Sequence, residues 1–514
     1  MDVSRPQILL LPVVCAVGVL SVILIAVKSS RRRQSTPLPP GPSFLYAAKS
    51  LLTLDPSQPW LLFTRWNKRY GHLVYFDAGR QVLVTDSLAV ARDLLEKRSS
   101  KYSDRPYFPS LSLYGWGFTT GLLNYSDKWR QHRRFHQQGF RPEAVLNWYP
   151  FQLQKVHTLL LNLLASPEQM VDHLDTFIAS TIMAATYGYT TLPHKDPLLD
   201  IVNHAIVIFI QSTSLIKVAS FTFFPFLKYL PRWLPGLSFY RDAPVSRHLA
   251  RKMLDSPFEF VKQSMADGSA QPSLVSEFLS RSKEAEGNGF LDEEIIKEVA
   301  ASALTAGFET TASTLVAFFM AMAMHPEIQE RAQAEIDEVL RRERLPNFDD
   351  RDSLPYVEAV LRELYRSFPV IPIGAPHVIT EDDVYNGLFI PKKTLVMANV
   401  WAIGHDESNY EDPHTFNPSR FLTQEGKLND DNVHYVFGFG RRICPGRYLA
   451  EASLWIAIAS VLAVFQIRKA KNELGEDIDV RPRFTTGQVV RPAPFKCEIV
   501  PRSGELERLV KVKS

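Results

Sequence analysis

The sequence predicts a mainly α-helical protein with small β regions, built as one large body behind an N-terminal transmembrane helix. Residues 8–27 form a run of twenty residues without a charge. After residue 43 no long low-complexity break and no internal repeat divides the chain, and most of it reads as helical. With 46% apolar residues among 514, the chain can bury a large core, which excludes wholesale disorder.

The apolar run at residues 8–27 is long enough to span a bilayer. Twenty residues at about 1.5 Å each extend roughly 30 Å. Lys28 and Arg31–Arg33 follow the run, and basic flanks stay on the cytoplasmic side. We therefore expect residues 1–27 to form a single-pass anchor in the endoplasmic reticulum membrane, with the large remainder of the chain in the cytosol. A cleaved signal peptide is the alternative, but its apolar region is usually only about 7–15 residues long.

Residues 28–42 are expected to form a basic and proline-rich hinge. The stretch Thr36–Pro42 reads TPLPPGP. Proline fixes φ and lacks an N–H, so this stretch cannot continue a helix and should be extended and stiff. Residues 43–514 would then form one large domain.

Two short β regions are expected, one early in this domain and one in its last third. Leu73–Phe76 and Val82–Thr85 flank a turn that contains Gly79, and a second hairpin surrounds Asn386-Gly387. We also expect a C-terminal strand around Cys497.

The longest helix candidate begins after Asp292, a good N-cap residue, and ends before His325-Pro326. It is apolar nearly all round after Val299, which predicts burial through the middle of the body. Gly307 and the polar group 309–311 interrupt it. Thr310 could merely bond back to a carbonyl of its own helix, or it could have a function.

Charge and cysteine content exclude two classes of protein. The 58 basic and 55 acidic residues nearly cancel, whereas a nucleic-acid protein needs a basic excess. The 3 cysteines, Cys15, Cys444 and Cys497, cannot form a disulfide framework. If one of them has a chemical role, it acts alone.

Cys444 has the surroundings of a metal-binding thiolate. It lies near the end of a glycine-rich stretch, Phe437–Gly446, which precedes an apolar helical run. The helix N-terminus and two neighbouring arginines should favour the thiolate. Zinc is disfavoured, because no second cysteine or suitable Cys/His pair lies nearby. A buried thiolate on such a loop suits heme iron as an axial ligand.

This loop resembles that of the cytochrome P-450 heme-thiolate monooxygenases, whose pattern is Phe-x-x-Gly-x-Arg-x-Cys-x-Gly. All five fixed positions match, at Phe437, Gly440, Arg442, Cys444 and Gly446. The resemblance implies that Cys444 is the iron ligand, that Arg442 contacts a heme propionate and that Phe437 shields the sulfur. It covers essentially the whole chain and implies the cytochrome P-450 fold.

Other segments extend the resemblance. Glu363 and Arg366 match the family's Glu-x-x-Arg pair, and Arg420 matches the third member of a structural network. Ser419 stands where the family usually has an acid, so part of that network should differ. Trp129 and Arg133 resemble the helical pair that reaches a propionate.

Two further matches concern the heme pocket. His377 lies where the family often has arginine, so we interpret it as a weaker propionate donor, with a solvated loop histidine as the alternative. Glu309 and Thr310 match the family's distal helix motif. The resemblance implies that these two residues deliver protons during O2 activation, which favours function over the back-bonded alternative for Thr310.

The implied cofactor is heme b, with NADPH acting through a separate reductase, because the chain has no flavin or nicotinamide fingerprint. A membrane-bound NADPH–cytochrome reductase is the expected partner, docking on a basic patch. That patch would comprise Arg130, His132, Arg133, Arg134, Arg441 and Arg447.

The substrate is expected to be a lipophilic small molecule that is oxidised in fungal secondary metabolism. Terpenoid, polyketide, aromatic and indole substrates all stay open. The aromatic stretch 204–240 could be core or could dip into the membrane. Two rival functions are a heme-thiolate isomerase or dehydratase, and a non-catalytic membrane-tethered heme-binding protein.

Overall fold

The computed structural model describes residues 36–77, 79–192, 195–212, 239–284 and 292–512. Three predicted segments lie wholly or partly outside these residues: the anchor at 1–27, the start of the hinge, and most of the aromatic stretch 204–240. The helices are α1 Phe44–Leu52, α2 Pro59–Tyr70, α3 Leu88–Arg92, α4 Ser99–Tyr102, α5 Pro109–Tyr114, α6 Asp127–Phe140, α7 Pro142–Val145, α8 Tyr149–Ala165, α9 Met170–Tyr187, α10 Pro197–Ser212, α11 Phe239–Ala266, α12 Leu274–Glu284, α13 Glu293–Met324, α14 Pro326–Leu340, α15 Pro355–Ser367, α16 Val400–Gly404, α17 Arg447–Val464 and α18 Gly504–Val512.

The β structure forms three small sheets in the described residues. The strands are β1 Leu73–Asp77, β2 Gln81–Thr85, β3 His377–Val378, β4 Asp383–Tyr385, β5 Leu388–Ile390, β6 Leu395–Ala398, β7 Phe465–Lys469 and β8 Cys497–Pro501. The largest sheet has the order β1-β2-β6-β3, with β2 and β6 parallel and the other pairs antiparallel. The mainly helical fold and both predicted hairpins are confirmed.

Helix α13 forms the axis of the body, as its apolar sequence predicts. The Asp292 side chain caps it by accepting from the Glu294 N–H at 2.9 Å. It packs most extensively against α9, and also against α6, α15 and α17. At Gly307 a Cβ would come within 2.9 Å of the Ile182 side chain on α9. The missing side chain therefore lets the two helices approach closely.

Helices α13 and α17 are each long and apolar enough to cross a membrane, and both are mostly buried inside the body. Their composition is thus explained by the core. The region that the sequence predicts as the anchor is not among the described residues.

The end of the proline-rich hinge lies along the sheets. The Pro37 carbonyl accepts from the Phe389 N–H at 2.7 Å, and the Pro40 carbonyl accepts from the Tyr75 N–H at 3.0 Å. Pro39 and Pro42 are buried. Prolines cannot donate to a strand, but their carbonyls can accept from one. The stiff stretch expected from sequence is therefore fastened to the body at Pro37 and Pro40.

A fully buried ion pair connects α15 to the segment that leads to Cys444. Both side chains, Glu363 and Arg366, have 0% exposure, and two bonds of 2.6 and 2.7 Å join them. Arg366 also donates to the carbonyls of Gly404 and Pro413, both at 2.7 Å. The Glu363 carboxylate accepts from the Asn417 N–H at 2.6 Å.

Arg420 completes this network from the following turn. Its Nε lies 3.3 Å from the Glu363 carboxylate, and its Nη1 donates to the Glu411 carbonyl at 2.8 Å. Ser419, which replaces the family's usual acid, accepts from Arg331 at 2.8 Å. The structure thus brings Glu363, Arg366 and Arg420 together, with serine occupying a place at the edge of the network.

We expect Glu363→Gln to destabilise the fold by about 3–5 kcal/mol, because it leaves the Arg366 charge buried without its partner. Glu277→Gln is the matched control, since Glu277 pairs with Arg281 on a helix surface at about half exposure and should cost only about 0–1 kcal/mol. Thermal unfolding midpoints at one fixed scan rate measure both. Equal shifts in the two variants would contradict the assigned importance of the buried pair.

Candidate active site

Cys444 lies at the end of a tightly held loop, directly before α17. Its N–H donates to the Phe437 carbonyl at 2.8 Å, and its carbonyl accepts from Arg447 Nη1 at 3.0 Å. The Gly446 N–H bonds to the sulfur. The sulfur sits deep in the body, yet the residue is only partly buried by surface area. Cys444 therefore keeps accessible surface although protein surrounds it, and a ligand of its sulfur would need such accessible surface.

Gly440 allows the loop to pass close to the chain that precedes α4. Its φ is +53°, and a Cβ there would lie 2.2 Å from the Leu95 carbonyl oxygen. No L-amino-acid side chain fits at that distance, and the backbone conformation itself favours glycine. Gly440 therefore has a steric reason to be glycine that is independent of any cofactor.

The charge state of Cys444 differs from the sequence expectation. Burial raises the pKa of the thiol, although the Gly446 N–H and the charges of Arg133 and Arg447 act in the opposite direction. Backbone N–H groups and arginine charges thus favour the thiolate as predicted, but desolvation of a charged sulfur outweighs these contacts. Coordination to a metal ion removes the thiol proton outright, so the site suits a metal-bound sulfur rather than a free thiolate.

A cluster of three arginines, Arg105, Arg133 and Arg442, lies beside the cysteine loop; Arg105 is buried and the other two are partly buried. Their side chains donate to backbone carbonyls: Arg105 to Gly121, Ala375 and Pro376, Arg133 to Ile443, and Arg442 to Ser103 and Leu123. Within the described part of the chain, none of the three forms an ion pair with an acid. The Asp104 carboxylate is near, but it accepts from the backbone N–H groups of Arg105 and Tyr125.

The arginine cluster carries positive charge that the surrounding residues do not neutralise. Burial lowers the pKa of Arg105 to about 9, and the Arg442 charge adds to the shift. Burial also lowers the pKa of Arg442 to about 10. Arg442 Nη1 is buried and has no hydrogen-bond partner in the described residues. Buried guanidinium groups normally find carboxylate or phosphate partners. The residues present therefore fit a ligand that carries acidic groups, such as the propionates of heme.

Two aromatic residues border this cluster. Trp129, which is 5% exposed on α6, has the Arg442 guanidinium over its ring at 4.2 Å. Phe437 contacts Tyr365 edge to face at 5.3 Å. The sequence-predicted residues Phe437, Trp129, Arg133, Arg442 and Cys444 are thus assembled on one side of the body.

His377 is buried in strand β3, which excludes the solvated-loop alternative. Its Nδ1 donates to the Tyr102 carbonyl at 2.7 Å. Burial, followed by the charges of Arg105 and Arg442, holds its pKa well below the usual range. In this neutral state the only ring hydrogen is used, and Nε2 is an acceptor. A donor role toward a propionate stays a prediction that would require a second proton on the ring.

The middle of α13 opens onto the interior. The helix is buried from residue 311 to 323 and at most positions from 296 to 305, whereas Ala306 is exposed and 307–310 are partly exposed. Thr310 donates to the Ala306 carbonyl at 2.9 Å, the back bond that the sequence left as an alternative. That bond uses the hydroxyl hydrogen and leaves the oxygen free to accept another.

Glu309 has an unusual environment beside Thr310. Burial raises its pKa to about 7, while Arg491 opposes this shift and Asp175 adds to it. Arg491 and Asp175 pair with each other at 2.7 and 3.2 Å. Glu309 can therefore hold or release a proton near neutral pH.

Sequence reasoning missed Arg105, Asp175 and Arg491. None lies in a recognisable motif, and each becomes relevant only through contacts with segments distant in sequence.

The structure places only some members of the predicted basic patch on the surface. His132 is 0% exposed and does not belong to the surface, while Arg133 and Arg447 turn inward. Arg130, Arg134 and Arg441 are exposed.

Comparison with known proteins agrees with this site. Residues 39–498 match the family model described as Cytochrome P450. The chain is 37% identical over 490 residues to cytochrome P450 monooxygenase 136 of Postia placenta, covering 93% of this chain and 92% of the relative. It is 37% identical over 490 residues to monooxygenase ple1 of Rhodocybe pseudopiperita (94% and 93%) and 36% identical over 506 residues to monooxygenase claR of Ampulloclitocybe clavipes (97% and 92%).

The chain therefore belongs to the cytochrome P450 family. It is an enzyme of the heme-thiolate monooxygenase class.

We expect Gly440→Ala to reduce the yield of heme-loaded protein severely, because the added Cβ collides with the Leu95 backbone. Gly504→Ala is the control: a Cβ there meets nothing within 4 Å, and alanine favours the start of α18. The ratio of heme absorbance to protein absorbance in the purified variants measures the effect. A normal ratio for Gly440→Ala would show that the loop can move away from Leu95.

Proposed function

We propose that the chain is a membrane-anchored monooxygenase in which Cys444 ligates the iron of heme b. The observation that carries this proposal is the deeply placed but partly exposed Cys444 beside an arginine cluster that has no acidic partner among the described residues. When bound, the heme supplies O2 activation and substrate oxidation, and the cysteine ligand favours O–O cleavage. The chain supplies binding, orientation and protons.

The arginine cluster would bind the acidic edge of the heme. Arg442 Nη1 has no partner in the part of the chain that the structure describes, so it can donate to a ligand, and Arg133 reaches the loop at Ile443. Trp129 covers the Arg442 guanidinium and restricts its orientation. Phe437 would shield the sulfur side, while Gly440 and Gly446 let the backbone approach. Arg105 joins the set as a residue that the structure adds.

Thr310 and Glu309 would hold and transfer protons on the side of the pocket opposite Cys444. Thr310 bonds its hydrogen to Ala306 and presents its oxygen as an acceptor. Glu309 has a pKa of about 7, so it can pass a proton toward water near Thr310 and be reprotonated. The intact pair favours a monooxygenase over a heme-thiolate isomerase or dehydratase.

Electrons would come from a separate NADPH-dependent reductase. Arg134 and Arg441 are exposed near the cysteine side and would contribute to a basic docking surface. Residues 1–27 would anchor the enzyme, residues 28–42 would form the hinge, and residues 43–514 would form the catalytic domain facing the cytosol. The alternative of a non-catalytic heme-binding protein predicts no NADPH-dependent oxygen consumption.

The substrate would be a lipophilic small molecule from fungal secondary metabolism. Ala303, Ala306 and Phe308 give the open turn of α13 an apolar surface, which suits such a ligand. The relatives compared above are all fungal monooxygenases.

We expect Cys444→Ser to abolish the thiolate-type spectrum of the reduced carbon monoxide complex, because serine does not provide a thiolate. Cys497→Ser is the matched control. Cys497 begins β8, and burial raises its pKa to about 11, so it is a neutral packed thiol and its replacement should leave the spectrum unchanged. A thiolate-type spectrum in Cys444→Ser would exclude this ligand assignment.

The coupling of electron use to product should depend on Glu309. Its carboxyl group is protonated below pH about 7 and ionised above it, so proton delivery should weaken as pH rises through 7. Peroxide formed per NADPH should therefore increase across this range, and Glu309→Gln should remove the pH dependence. The measurement uses a compound selected by the spectral change that it causes on binding.

Thr310→Ala should uncouple the enzyme at all pH values. Product formation should fall by a factor of about ten or more, and the effects of general acids are typically larger than about tenfold. Thr314→Ala is the matched control, because Thr314 makes the same kind of back bond one turn later, to the Thr310 carbonyl at 3.0 Å. Unchanged coupling in Thr310→Ala, or equal uncoupling in both variants, would contradict the proton-delivery role.

A further inference from the structure

A chain of buried hydrogen bonds joins α13 to α6 through the loop between α5 and α6. Glu298 of α13 lies 3.1 Å from His132 Nε2. His132 Nδ1 lies 2.9 Å from the Thr120 hydroxyl, and His136 Nε2 lies 3.0 Å from the same hydroxyl. His132, His136 and Thr120 are 0%, 3% and 8% exposed. One threonine hydroxyl therefore bonds to two buried histidines on successive turns of α6.

The charge on Glu298 gives this chain a direction. Burial opposes its ionisation, but bonds from His132 and Lys128 lower its pKa, and Lys128 pairs with it at 2.7 Å. A carboxylate only accepts, so His132 carries a hydrogen on Nε2. In the arrangement in which His132 Nδ1 accepts from the Thr120 hydroxyl, the Thr120 oxygen accepts from His136 Nε2.

This direction also explains the remaining nitrogen of His136. Burial lowers the pKa of His136 to about 3, and the Arg133 charge acts in the same direction, so the ring is neutral. Its Nδ1 is buried without a partner in the described residues. In the stated direction Nδ1 carries a lone pair and no hydrogen is left unsatisfied. The opposite direction would bury an unpaired N–H, which is the costlier arrangement.

The loop that carries Thr120 is held on its other side by the arginine cluster. Arg105 Nε donates to the Gly121 carbonyl at 3.0 Å, and Arg442 Nη2 donates to the Leu123 carbonyl at 2.9 Å. The Thr120 N–H donates to Ser302 Oγ on α13 at 3.1 Å. The loop thus lies between α13 and two arginines, with the Thr120 hydroxyl as its side-chain attachment to α6.

We propose that Thr120, oriented by Glu298 through His132, is a positioning residue that sets the Gly121 and Leu123 carbonyls and thereby the places of Arg105 and Arg442. This inference rests on the proposed heme site, because its effect passes through the two arginines to the acidic edge of the heme. Thr120 itself touches neither the substrate nor the cofactor. Its loss should weaken the neutralisation of that edge.

The test compares Thr120→Val with Thr120→Ser in the heme-loaded enzyme. Valine keeps the shape of threonine and removes the hydroxyl, whereas serine keeps the hydroxyl. We expect Thr120→Val to speed transfer of heme to heme-free myoglobin by about tenfold, the factor that one lost buried hydrogen-bonding group can produce. We also expect a more negative midpoint potential. Thr120→Ser should resemble the wild type in both measurements.

Thr186→Val controls for replacement of a buried threonine. Thr186 is 0% exposed on α9, and its hydroxyl has no partner in the described residues, so valine there should leave heme transfer and potential unchanged. If Thr120→Val does not fold, Glu298→Gln supplies the same readouts, because it removes the charge that orients His132. Lys128→Met, which removes the partner charge at a half-exposed position, should have a smaller effect.

The two proposals fail in different ways. Loss of the thiolate-type carbon monoxide spectrum in every variant would count against the heme site itself. A retained spectrum with wild-type heme transfer and potential in Thr120→Val and Glu298→Gln would overturn the positioning role. Equal changes in Thr120→Val and Thr186→Val would also overturn it, since they would reflect general loss of packing.

Discussion

The buried pair of Glu363 and Arg366 is the interaction on which the arrangement of the site depends. Two side chains without solvent contact must satisfy nearly all of their polar atoms within the protein. They do so by bonding to backbone groups of the segment from Gly404 to Asn417. That segment leads into the cysteine loop, so its path is determined by the geometry of a guanidinium and a carboxylate on one helix. Arg420 then closes the network from the far side.

The arginine cluster beside Cys444 follows the opposite principle. In the Glu363 network, acid and base are matched within the chain. In the cluster, three cations lie against carbonyl oxygens, and one buried nitrogen of Arg442 has no partner among the described residues. Cys444 is similarly incomplete, because burial raises its pKa and a metal ion would reverse that effect. The charges are thus matched within the chain in the rigid Glu363 network, whereas the arginine cluster leaves positive charge for a ligand to neutralise.

Much of the fold could be predicted from local sequence. The cap at Asp292 and the apolar length of α13, the turn at Asn386-Gly387 and the strand at Cys497 depend on near neighbours, and the structure contains all of them. The cysteine loop was found because its residues are contiguous. Arg105 and the Asp175–Arg491 pair could not be found this way, because their burial depends on contacts across 16 to 316 residues. His132 was misplaced on the surface because an amphipathic pattern does not reveal which polar residues are bonded inside.

The unmatched nitrogen of Arg442 has a consequence for the life of the protein in the cell. A ligand that binds only the folded chain stabilises it in proportion to the logarithm of its free concentration. The group that completes the arginine cluster is not encoded in the sequence, so part of the stability of this region depends on cofactor supply. Newly synthesised chains that await loading would be the population most accessible to proteases. The abundance of the enzyme would then follow heme availability as well as the rate of its synthesis.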